Sequence, residues 1–258
     1  MLRALYLAVL AALLTSCVST SKVRLTGLDH PSGWSDQIRT TANSSFLYAQ
    51  LSFVSYQGPP EFQIDSKVSE VERQENNSID FAYAIFSREM DVGPSEIIIA
   101  FRGTDTARDV WSGTLTNAQG AAGLELFDRI RSEFLEERII VTGHSQGGAI
   151  ATHVTLNREN VTGYFFNTSP RFRRLSGDLE NDRYSIVEHG DPLKLLRLFG
   201  REPTQLYTSI GCTRGGPFSQ HSARSLAICL TQIASWEREA ARTSLRRNNL
   251  SLPQGVTR

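Results

Sequence analysis

Residues 143–148 read Gly-His-Ser-Gln-Gly-Gly and follow directly on the apolar run Arg138-Ile139-Ile140-Val141-Thr142. No other segment restricts the fold as much. A strand that leaves a sheet and turns at once into a helix brings its flanking side chains into collision, and a G-x-S-x-G sequence is the solution known as a nucleophile elbow. Gly143 and Gly147 relieve the crowding, and Gly148 lets the next helix pack close to the sheet. The sequence Ala149-Ile150-Ala151-Thr152-His153-Val154-Thr155-Leu156 supplies that helix. The oxygen of Ser145 is then expected to stand above the sheet edge. The helix end beneath it offers unpaired N–H groups and a positive dipole to a developing oxyanion. An ordinary glycine turn with an incidental serine would lack the strand before it and the helix after it.

The rest of the chain supplies what such an elbow needs. Strands are expected at Phe81–Phe86, Glu96–Phe101, Val161–Asn167 and Arg183–Glu188, that at Glu96–Phe101 buried, and Gln205–Ile210 is a candidate for another. Apolar residues at helical spacing predict helices over Asp36–Tyr56, Leu124–Glu137 and Ser222–Arg242, the first stopped by Gln57-Gly58-Pro59-Pro60. Glu61–Ser78 is polar and takes no assignment. Strands alternating with helices predict an α/β fold, a largely parallel central sheet flanked by helices. The 258 residues, 40% hydrophobic, suit one such domain. Lysine plus arginine number 27, as do aspartate plus glutamate. That balance gives no electrostatic case for nucleic acid as a partner. No metal-ligand spacing, phosphate-binding glycine loop or cofactor motif is present, so no cofactor is expected.

The N-terminus reads separately. Met1-Leu2-Arg3 is a short charged start, and Ala4–Leu14 is an apolar run too short to span a bilayer. Leu14-Thr15-Ser16-Cys17 then resembles the lipobox of bacterial lipoproteins. That resemblance implies cleavage after Ser16, lipid on Cys17 and anchorage to a membrane of the bacterial envelope. Val18, not aspartate, follows the cysteine, which in a Gram-negative host favours the outer membrane. The expected organisation is a signal peptide at 1–16, a lipidated N-terminus and tether at 17–35, the α/β domain at 36–247 and a loose tail at 248–258. Cys212 and Cys229 are either bridged or two separate buried thiols. A bridge would close a loop containing His221 and add about 3 kcal/mol in the loop-entropy model.

A serine hydroxyl needs an adjacent base that is oriented by a third group. In α/β-hydrolases the chain order is nucleophile, acid, histidine. Of the five histidines, His30 lies in the tether, His144 within the elbow and His153 on the following helix. His189 competes but precedes Asp191. His221 follows every candidate acid and heads the last helix, and is the expected base. Asp191 lies on the turn leaving the carboxyl end of the Arg183–Glu188 strand, where active-site groups gather. Asp178 and Asp182 sit at the other end. Asp191 before Pro192 also reads as a helix start. For the oxyanion, the Gln146 N–H is one expected donor. Thr104, after the strand and glycine turn ending in Phe101-Arg102-Gly103, is the other.

These segments together resemble the class 3 (fungal-type) lipases and their bacterial relatives. The resemblance runs from about Phe81 to His221. It is carried by Ile-Ala-Phe-Arg-Gly-Thr at 99–104, Val-Thr-Gly-His-Ser-Gln-Gly-Gly-Ala at 141–149, Phe-Asn-Thr-Ser-Pro-Arg at 166–171, and Asp191-Pro192 followed by His221. It implies an α/β-hydrolase fold with Ser145, Asp191 and His221 as triad, Thr104 and Gln146 as oxyanion donors, and an acyl-ester or lipid substrate. Three departures stand out. Gln146 replaces the leucine common after the serine, and Leu193-Lys194 replaces a second proline. Thr106–Gly123, where the family often carries a lid, is rich in Gly, Ala and Thr. Two other classes stay open. One is a membrane-anchored binding module that keeps the fold without the chemistry. The other is a phospholipase or thioesterase using the same triad.

Overall fold

The computed structural model describes residues 30–56, 62–103, 117–170, 179–194, 206–212 and 215–255. Helix α1 (Asp36–Val54) opens the fold, with Ser35 as its N-cap accepting from the Ile38 N–H. Strands β1 (Val68–Gln74), β2 (Tyr83–Arg88) and β3 (Glu96–Phe101) follow. Then come α2 (Asn117–Glu133), β4 (Arg138–His144), α3 (Gln146–Asn157), β5 (Val161–Phe166) and β6 (Arg183–Glu188). A 3-10 turn (Pro192–Lys194), β7 (Leu206–Ile210) and the short α4 (Pro217–Gln220) lead to α5 (Ala223–Ala234) and α6 (Glu239–Arg247).

The strands form one seven-stranded sheet in chain order. Pairings β1/β2 and β2/β3 are antiparallel, and the four from β3 to β7 are parallel. This is the expected α/β sheet with helices on both faces. Because both faces are covered, β3 and β5 are buried along their whole length and do not alternate between buried and exposed. In β3, Ile97, Ile99 and Phe101 face one helical layer with Leu124 and Phe127 of α2 and Ile150 and Val154 of α3. Ile98 and Ala100 face the other, with Leu47 and Leu51 of α1 and Leu226 and Leu230 of α5. No described helix is long and apolar enough to cross a membrane.

Three elements depart from expectation for identifiable reasons. Strand β1 lies in the stretch left without assignment. It is an edge strand with Glu70, Glu72 and Arg73 on it and a bulge between Glu70 and Glu72, so it shows no apolar pattern. Helix α2 begins at Asn117, well before the expected Leu124, and ends at Glu133. Its first turns are Gly- and Ala-rich because they press on α3. A methyl on Gly120 would lie 3.1 Å from His153 Nε2, and one on Gly123 2.7 Å from Ile150 Cγ2. The single helix expected over Ser222–Arg242 is two, α5 and α6. The break is held by Arg242, which donates to the carbonyls of Ser235 and Trp236 at the end of α5. After α6, Asn248 hydrogen-bonds Gln63, and Gln232 donates to the Ser251 carbonyl.

Candidate active site

Ser145 sits between the end of β4 and the start of α3, with φ 56° and ψ −121°. A serine pays for that positive φ only when its surroundings enforce it. The enforcement is visible. A methyl on Gly143 would strike the Gly147 carbonyl, and one on Gly147 would strike the Phe101 carbonyl at the end of β3. The Ser145 N–H donates to Phe166 O at 3.0 Å, and Ser145 O accepts from the Ser169 N–H at 3.0 Å. The elbow is thus clamped by the ends of β3 and β5. Gln146 opens α3, and the first N–H groups of a helix have no intrahelical acceptor.

His221 lies between α4 and α5. Its Nε2 is 3.0 Å from Ser145 Oγ, and its Nδ1 is 2.7 Å from Asp191 Oδ1. The Asp191 side chain is fully buried, and that of His221 is 9% exposed. With the proton on Nδ1 donated to Asp191, Nε2 is left to accept the Ser145 hydroxyl. Asp191 leaves β6 and also caps the 3-10 turn, its Oδ1 accepting from the Leu193 N–H at 3.2 Å. The histidine contact and the helix-start contact are thus made by one oxygen of Asp191. Ser222, next to His221, caps α5 through the Ser225 N–H.

Three of the other histidines lie away from Ser145. His189 is paired with Ser209 Oγ at 2.5 Å, His153 packs between α3 and α2, and His30 meets Ser32 and the edge of Trp236. Thr104 and Cys17 fall outside the described residues. The chain one residue before Thr104 does reach the elbow, since a methyl on Gly103 would lie 3.3 Å from Ser145 Cβ. Most of the Thr106–Gly123 segment also lies outside them, while Asn117–Gly123 forms the start of α2. Cys212 and Cys229 are joined by a disulfide, with α-carbons 6.0 Å apart, and the loop they close carries His221. Among the described residues, no group of three or more His, Cys, Asp or Glu side chains is gathered as a metal site.

Sequence reasoning assigned no role to several residues that hold this arrangement. Asn167 is fully buried at the end of β5, with φ 42°. Its Oδ1 accepts from the Glu188 N–H at 2.8 Å and its Nδ2 donates to Gln220 O at 3.1 Å. It therefore ties the end of β6, three residues before Asp191, to the residue before His221. Asn167 fell within the motif quoted above, and an asparagine leaving a buried strand was the available signal. Behind the triad, the His144 ring centroid is 4.7 Å from that of His221. Tyr56, just after α1, places its hydroxyl 3.0 Å from His144 Nδ1 and against Gly103. Burial pushes the Tyr56 phenol well above its ordinary range, so it stays protonated beside His144. The Arg102 guanidinium lies over the Tyr56 ring, 5.9 Å from its centroid.

Comparison with known proteins bears on the fold. Residues 60–164 match the Mbeg1-like family model, a span that includes the elbow and ends before Asp191 and His221. No curated protein matches the chain. Among solved structures, the triacylglyceride lipase of Rhizomucor miehei is similar at 18% identity and a TM-score of 0.50, covering 67% of this chain and 81% of that one. The lipase of Rhizopus microsporus var. chinensis is similar at 16% identity and a TM-score of 0.48, covering 67% and 74%. The Lip2 lipase of Yarrowia lipolytica stands at 15% and 0.45, covering 70% and 82%. At these identities the likeness to the Rhizomucor miehei structure is one of fold, that of the α/β-hydrolases.

Proposed function

We propose that this chain is a serine ester hydrolase, lipase- or carboxylesterase-like, that acts on acyl esters through an acyl-enzyme on Ser145. The reading rests above all on one observation. A serine held at positive φ on a strand–helix elbow is hydrogen-bonded to a histidine that is in turn hydrogen-bonded to a buried aspartate. His221 Nε2 takes the Ser145 proton as Oγ attacks the acyl carbonyl. Asp191 holds the imidazole and stabilises the imidazolium that forms. The oxyanion is received by the Gln146 N–H at the head of α3, with Thr104 as the second donor that the class 3 lipase resemblance implies. His221 then protonates the departing alcohol and activates the water that releases the acid. The fold shared with a triacylglyceride lipase supports lipids among the esters.

The same reading puts the domain outside the cytoplasm, held to a bacterial envelope membrane by lipid on Cys17. The charged start, the short apolar run and Leu14-Thr15-Ser16-Cys17 support it.

A fluorophosphonate probe tests the chemistry. Covalent labelling of Ser145, abolished in Ser145→Ala, is expected. Turnover of p-nitrophenyl esters should fall at least about 10³-fold in Ser145→Ala and His221→Ala, because triad members act as a unit. A folded wild-type protein that neither labels nor turns over esters of any chain length would leave the binding-module reading in its place.

A further inference from the structure

The residue after the nucleophile carries a hydrogen-bonded amide. Gln146 Nε2 donates to Gln119 Oε1 on α2 at 2.8 Å, and Gln119 Nε2 donates to the Asp80 carbonyl just before β2 at 3.0 Å. Both glutamines are buried. Gln119 has no freedom to slide, because Gly120 and Gly123 seat α2 directly on His153 and Ile150 of α3. Apolar packing at position 146 would hold the first residue of α3 without direction. A buried amide pair holds it with one preferred geometry, and in a low-dielectric setting that geometry is expensive to distort. Gln146 is also the residue whose backbone N–H faces the oxyanion in the proposed reaction.

We propose that Gln119 is a positioning residue for acyl transfer. Acting through the Gln146 carboxamide, it references the oxyanion-facing N–H of Gln146 to α2 and to the β1–β2 connection. The inference rests on the proposed serine-hydrolase reading. It assigns Gln119 a share in stabilising the transition state and none in binding the ground-state ester.

The test uses the full-length chain and p-nitrophenyl butyrate, with active sites counted by fluorophosphonate labelling so that only competent molecules enter kcat. Removing an oxyanion donor outright costs about 10²–10³-fold in turnover, so mis-aiming one in Gln119→Leu should cost about 10-fold in kcat. KM should stay within about two-fold, as for an interaction made only in the transition state. The variant also leaves the Gln146 amide buried without its partner, which lowers Tm. The double variant Gln119→Leu/Gln146→Leu separates the two effects, since replacing both members of a buried polar pair by apolar groups restores stability. Recovery of Tm without recovery of kcat supports positioning, and so does a double variant that folds and turns over slowly where the single variant fails to fold. Recovery of both, or an unchanged kcat per labelled site in Gln119→Leu, overturns it. Failure of the wild-type protein to label at Ser145 overturns the serine-hydrolase reading and this inference with it. Normal labelling with an unaffected Gln119→Leu overturns this inference alone.

Discussion

The disulfide between Cys212 and Cys229 allows a prediction with a worked magnitude. Its sequence separation is 17. A cross-link closing a loop of that size removes about 10–11 cal/mol/K from the unfolded chain, or about 3 kcal/mol at room temperature. Typical domains are stable by about 5–15 kcal/mol, so the bridge is a large share of the total. For a domain of this size, that loss moves Tm down by about 6–12 °C. The geometry of His221 should survive, because it does not depend on the bridge alone. Asp191 holds its Nδ1, Asn167 holds the carbonyl of Gln220, and Ser222 caps the following helix. The perturbation is Cys212→Ala/Cys229→Ala, alanine being chosen because both sulfurs pack against the apolar core beside α1 and α5. Calorimetry should show the Tm drop, and wild-type protein scanned in a thiol-free reductant should match the double variant. Ester turnover per labelled Ser145, measured 20 °C or so below the new Tm, should stay within about two-fold of wild type, since an unfolded-state effect leaves native contacts alone. An unchanged Tm would refute the loop-entropy argument. A collapse of turnover in a fully folded double variant would show that the bridge itself holds the base.

Other expectations follow from single contacts. Asn167→Ala leaves the buried Glu188 N–H without its acceptor and puts alanine at a φ of 42°. It should destabilise the domain by about 2–4 kcal/mol in urea melts and slow turnover while leaving KM near wild type. Gly123→Leu drives a side chain into Ile150, 2.7 Å from where its Cβ would lie, and should cost about 1–3 kcal/mol, read by the same melts. Cys17→Ala should release the native protein from membranes that otherwise retain it through high-salt washes, since stable anchoring takes more than one acyl chain. Recovery of that variant in the membrane fraction, processed at the same site, would rule out lipid on Cys17 as the anchor.

Much of the fold was legible because it rests on local or exclusion rules. Glu96–Phe101 reads as a near-continuous apolar run, as a strand covered on both faces favours. The elbow was legible because close approach of β3, β4 and α3 permits only glycine at 143 and 147, a demand written directly in residue type. Chain order and strand ends then select Ser145, Asp191 and His221, the three side chains that meet within 3.0 Å of one another in sequence along the relay. Tertiary structure decided whatever depends on a partner distant in the chain. Strand β1 is polar because it is an edge. The Gly- and Ala-rich start of α2 is a helix only because α3 lies against it, and Arg242 divides one expected helix into α5 and α6. The Cys212–Cys229 bridge, the Asn167 brace and the Gln146–Gln119–Asp80 chain of amides join residues tens of positions apart or on separate elements. No periodicity records such pairings, because a hydrogen bond or disulfide depends on where two side chains end up in space and not on the residues that flank either of them.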